Sequence, residues 1–204
     1  MVINTIKNNK KNLFILILLV IFFYRSPHIF LNGRFMAEEG SIYFANAYSN
    51  NFFYSLFFVD FKSGYFNFWA NISGIISNFF PLKIAPLISN YLSLIPKFLI
   101  IYFILFERSY FTNTYQYKIL LCLLIFIAPQ NVPEIWLNSI NSQIFFCILA
   151  FILIFKINDD KKINYFELLL ISTAGLTGIY SCILAPIFFF KYLVSIVKSS
   201  SLIS

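Results

Sequence analysis

Apolar residues in this chain gather into long runs instead of alternating with polar ones. The first reads Leu13 to Tyr24, directly after Lys7, Lys10 and Lys11. Later runs are Ile84 to Phe106, Tyr117 to Pro129, Gln143 to Phe155 and Leu168 to Val197. Runs this long and this poor in charge predict helices lying in a bilayer. The Ile84 run would cover roughly 34 Å at the α-helical rise, enough to cross. No small-residue cleavage site follows the first run. Arg25-Ser26-Pro27-His28 comes instead, so 11–30 reads as an uncleaved first span.

Between the first two runs, 31–82 mixes Asn, Ser, Tyr and charge and predicts a long outer loop. Within it, Tyr65 to Phe80 is aromatic and rich in Asn, which suits a helix lying flat at the interface. The last run contains Gly175 and Gly178 and has two readings, one long helix or a hairpin broken at the glycines. The hairpin is favoured because it returns Lys191 and Lys198 to the cytoplasm. Its half-helices are too short to span alone and would have to be buried in protein. The expected fold is all-α, a polytopic transmembrane bundle of about six membrane helices with an interfacial helix in its first outer loop. Residues 1–198 form one module and 199–204 a short tail.

Composition then excludes whole classes. The chain has 204 residues, of which 60% are hydrophobic and 11% charged, against about a quarter charged in soluble domains. A soluble enzyme, a nucleic-acid binder and a disordered tail do not fit. The net charge of +7 acts as an orientation signal instead. If 65–80 lies flat, Lys7, Lys10, Lys11, Arg108, Lys118, Lys156, Lys161 and Lys162 all fall on the cytoplasmic side with the N-terminus. If 65–80 crosses, the Lys156, Lys161 and Lys162 cluster moves outside, so the flat reading is preferred. Cys122, Cys147 and Cys182 stand singly in apolar segments and read as small buried hydrophobes. Metalloprotease, serine-hydrolase and P-loop motifs do not occur.

Candidate chemistry therefore lies among the outer polar residues. Four of the eight acids fall outside: Glu38, Glu39, Asp60 and Glu134. Glu38 and Glu39 are adjacent, so their side chains point apart. One could face a membrane-level cavity as a general base while the other meets water or a metal. The plainer alternative is a solvated pair at a helix start.

The lysine-led first span, the outer acidic pair with Tyr43 four residues beyond Glu39, and the interfacial helix resemble the GT-C superfamily. These are polytopic glycosyltransferases such as protein O-mannosyltransferases and aminoarabinose transferases. Pro129 to Glu134, Asn141 to Gln143, Gly175 to Gly178 and Ile183 to Pro186 are also similar to members of the group. The resemblance implies sugar transfer from a polyprenyl-phosphate donor on the extracytoplasmic side, in the plasma membrane of a bacterium. Glu39 is then the expected base with Glu38 beside it, and Glu134 the further acid of the second outer loop. This pair is Glu-Glu, whereas the family often has Asp at the catalytic position. Members run to several hundred residues, so the chain reads as an N-terminal module of such an enzyme. A divalent metal is left open and no metal ligand is assigned.

Arg34, Lys62 and Lys83 are candidates to contact the donor phosphate, each with a plainer reading as an interfacial anchor. Arg25 and His28 stand at the outer end of the first span. Lys97 follows Pro96 within the second span and should face protein or a cavity. Trp69 and Trp136 fit an aromatic belt. Asn71-Ile72-Ser73 matches a glycosylation sequon, which a bacterial setting makes incidental. The expected partners are the lipid bilayer and a lipid-phosphate sugar, with no nucleic acid. A non-catalytic membrane component, such as a flippase, an accessory subunit or a split-enzyme relic, is the alternative. A transporter ranks last, since no internal repeat accompanies the single glycine-broken segment.

Overall fold

The computed structural model describes residues 2–106, 114–127, 133–156 and 164–201, and among these it is helical without β-strands. The first helix, α1 (Val2–Arg25), is followed by α2 (Pro27–Asn32). A π-helical turn (Glu39–Phe44) leads through α3 (Ala45–Ser49) and α4 (Phe52–Leu56) to α5 (Phe68–Asn78). Then come α6 (Ala85–Leu92), α7 (Ile95–Phe106), α8 (Tyr115–Ile127), α9 (Pro133–Trp136) and α10 (Ser142–Lys156). The chain ends in α11 (Tyr165–Leu176), a 3-10 turn (Tyr180–Leu184) and α12 (Ala185–Ser201).

Together α6 and α7 make one apolar helix of 22 residues, Ala85–Phe106, long enough to cross a membrane. Tyr115–Ile127, Ser142–Ile154, Tyr165–Leu176 and Tyr180–Val194 are apolar but shorter. Of the expected six or so spans, one is matched among the described residues by a helix both long and apolar enough to cross. The predicted 117–129 and 143–155 runs both reach residues outside those whose structure is described in full.

Apolar residues fill a buried core and also cover much of the surface. A large core gathers Phe14, Leu18, Phe22, Ile100, Phe126, Phe146, Leu149 and Leu153 from α1, α7, α8 and α10. Yet α8 turns Tyr117, Leu120, Leu124 and Ile127 outward while burying Lys118 and Cys122. Likewise α12 exposes Ile187, Phe189, Phe190 and Leu193. Apolar faces this extensive need a covering partner or lipid.

The predicted interfacial segment does contain a helix, α5, but its inner face is built from polar and small residues. Asn71, Ser73, Gly74 and Ser77 are buried, while Ile72 and Ile76 lie half-exposed and Phe79 exposed. A Cβ at Gly74 would stand 2.7 Å from the Tyr43 carbonyl oxygen, so glycine is what lets α5 approach the π-helical turn. Trp69, expected as a belt anchor, instead packs edge-on against Phe146 at 5.0 Å. Asn71 donates to the carbonyls of Leu56 at 3.1 Å and Phe58 at 2.8 Å, and its burial leaves a glycan no room. The Trp136 side chain lies outside the described residues.

The helix break expected at the glycines is present at Thr177 and Gly178. Gly178 has φ of +72°, and its amide donates to the Phe66 carbonyl at 3.0 Å. The flanking half-helices are not buried in protein as the hairpin reading required, because Leu168, Leu169 and most apolar residues of α12 are exposed. Of the cysteines, Cys122 is buried, Cys147 is half-buried and donates to the Tyr180 carbonyl, and Cys182 is exposed. The expectation of three buried thiols thus fails at Cys182, which sits on the outer side of the 3-10 turn.

Candidate functional site

The acidic pair divides. Glu38 is exposed, while Glu39 is only 2% exposed and starts the π-helical turn. Glu39 Oε1 accepts from the Ser139 amide at 2.6 Å, the Ser139 hydroxyl at 2.6 Å and the Ser89 hydroxyl at 3.0 Å. Its Oε2 accepts from the Met36 amide at 2.9 Å. Because the Ser89 proton is directed at Glu39, the Ser73 hydroxyl 3.0 Å away is the donor to Ser89. Glu39 does not face an open cavity: donors from three separate segments enclose it.

Burial raises the Glu39 carboxyl above its ordinary value, and the hydrogen bonds from Ser139, Met36 and Ser89 pull it partway back. A buried acid raised in this way holds its proton more tightly when folded than when unfolded. Its contribution to stability is therefore full below the unfolded value of 4.5 and is lost as pH climbs through the raised value. We expect the wild-type thermal midpoint to fall relative to that of Glu39→Gln as pH rises from 4.5. Parallel midpoint curves for the two proteins would remove Glu39 as the source.

Asparagine amides hold the surroundings of Glu39 in place. Asn90 is fully buried, accepts from the Arg34 amide at 3.1 Å and donates to the Arg34 carbonyl at 3.1 Å and the Leu137 carbonyl at 2.8 Å. Asn138 accepts from the Ile140 amide at 2.6 Å, which sets up the turn into α10. Asn67 caps α5 by accepting from the Ala70 amide and reaches the Ile140 carbonyl at 3.2 Å. These ties bring 34–39, 89–90 and 137–140 to one place.

Glu38, Asp60 and Tyr65 all act on the Tyr43 phenol. The Tyr43 phenol is pushed up, first by burial and then by Tyr65, Asp60 and Glu38. Asp60 closes a turn. The Ser63 hydroxyl first of all, with the Lys62 and Ser63 amides, holds its carboxyl low against the cost of burial. Two carboxylates therefore stand in the field of one phenol. Sequence reasoning counted Asp60 among the outer acids without placing it at the site. It also passed over Ser89, Asn90, Asn138 and Ser139, which are common polar residues with no motif to mark them.

The other expected residues are not drawn to Glu39. Arg34 joins through its main chain, with its side chain exposed. Lys62, Lys83 and Glu134 are exposed, and the Glu134 main chain accepts from Asn141 at 2.9 Å. Lys97 is 1% exposed, donates to the Ser93 carbonyl at 2.8 Å and stands 3.9 Å over the Phe145 ring. It faces protein, as expected of a lysine inside a span. Among the described residues no three His, Cys, Asp or Glu side chains gather into a metal-sized group. No protein family, no curated protein and no solved structure matches this chain.

Proposed function

We propose that the chain is a membrane-embedded glycosyl-transfer module of the GT-C kind, taking sugar from a polyprenyl-phosphate donor on the extracytoplasmic side. The observation that carries this reading is the division of the acidic pair: a buried Glu39 fixes the turn from which Glu38 projects into solvent beside Asp60 and Tyr43. Glu38 is the carboxylate with access to an acceptor. It takes the proton from an acceptor hydroxyl, whose oxygen forms a bond to the anomeric carbon. The bond from that carbon to the phosphate oxygen breaks, and its electron pair leaves on the lipid phosphate. Glu39 is a positioning residue in this scheme. The outward apolar faces of α8 and α12 support several membrane-embedded segments, and Lys7, Lys10 and Lys11 support a cytoplasmic N-terminus.

The test uses membranes carrying the full chain, supplied with radiolabelled polyprenyl-phosphate sugars. Glu38→Gln is expected to slow donor consumption about a hundredfold while inserting normally. Unchanged turnover in that variant would sink the assignment. Saturation of Glu39 by protein donors favours one second reading, a non-catalytic membrane component. On that reading wild type consumes no donor, and neither Glu→Gln variant differs from it.

A further inference from the structure

A concavity of about 480 Å³ lies at the outer end of the first helix, where α1 passes into α2. Arg25, His28 and Arg34 line it together with Ser26, Ile29 and Asn32, and none of the described residues that line it is a carboxylate. The two arginines are held from other parts of the fold. Arg25 donates through Nη1 to the Phe126 carbonyl at 2.9 Å, and both main-chain groups of Arg34 are paired with Asn90. Gly33, with φ of +47°, turns the chain between the α2 end and Arg34. On the same two helices Phe23, Tyr24 and Leu31 are exposed at 39%, 77% and 64%. Cations line the cleft, and the two helices that form it carry exposed apolar side chains.

That pairing matches the two halves of a membrane lipid, with a phosphate at headgroup depth and acyl chains alongside aromatic and aliphatic side chains. A free anion in so open a cleft would gain only a screened attraction. We propose that this cleft binds the headgroup phosphate of an anionic glycerophospholipid of the surrounding bilayer. The site is separate from the Glu38 chemistry and does not rest on the transfer reading.

The experiment uses the full chain in detergent, titrated with phosphatidylglycerol or phosphatidylcholine and followed by native mass spectrometry. Phosphatidylglycerol is expected to bind in preference. Arg34→Gln should weaken it about fivefold, the worth of roughly one cation near an anionic surface. Arg34 pairs with Asn90 only through its main chain, so this variant keeps the fold. Lys62→Gln and Lys83→Gln remove equal charge elsewhere and should leave affinity unchanged. Equal binding of the two lipids, or equal losses in all three variants, would overturn the site. Displacement by millimolar inorganic phosphate would reassign it to free anions. A preference for polyprenyl monophosphate would make it a donor subsite instead, and the proposal would fall.

Discussion

Glu39→Ala is expected to cost about 3–5 kcal/mol of folding stability. The substitution removes the acceptor shared by four donors: the Met36 and Ser139 amides and the Ser89 and Ser139 hydroxyls. Each donor left buried without a partner costs about 1–3 kcal/mol, and the two hydroxyls can recover part of this by rotating toward carbonyls. The loss should be localised, because the same carboxylate joins 36–39 to 89 and 139. Limited proteolysis should cut the 31–82 region in the variant under conditions that leave wild type intact. Glu39→Gln keeps one carbonyl oxygen and should fall between the two. A thermal midpoint for Glu39→Ala within measurement error of wild type would show that these bonds do not hold the segment.

Gly33→Ala should produce the next largest effect, a loss of about 3 kcal/mol. Two penalties combine at this residue. Its φ of +47° lies where a Cβ is unfavourable, and that Cβ would stand 2.5 Å from the Leu87 backbone nitrogen and Cα. Leu87 lies in α6, so relief requires α2 and α6 to move apart. The Arg34 pairing with Asn90 follows directly after Gly33 and would break with that movement. Denaturant unfolding of the purified protein in detergent measures the loss. An intact midpoint would mean that the approach of α2 to α6 is looser than 2.5 Å implies.

Some of this was readable in the residues themselves. Long apolar runs give helices whatever surrounds them, and Gly175 to Gly178 marks a break because glycine alone adopts positive φ without strain. Lys97 inside an apolar helix was expected to face protein or a cavity, and it meets Ser93 and Phe145. The inward turn of Glu39 was not readable. Its partners Ser89 and Ser139 lie 50 and 100 residues away, and no local spacing reports such a meeting. The inner face of α5 was hidden for a related reason. Asn71, Ser73 and Ser77 look like solvated positions until the chain around them supplies carbonyls and hydroxyls to bond. On α5 the polar and small residues, more than the large apolar ones, mark the inner face.

The reach of Glu39 also bears on how the chain is made. A ribosome completes the acidic pair when Ser139 is still 100 residues from being synthesised. Until then Glu39 remains hydrated at the surface, since burial without its donors is unfavourable. The first 80 or so residues can form their local helices in order, but their final docking must wait for the stretch just before α10. Chain closure over so long a loop is slow compared with local helix formation. A nascent chain arrested before Ser139 should therefore expose the 31–82 region to added protease, and one arrested well beyond it should not.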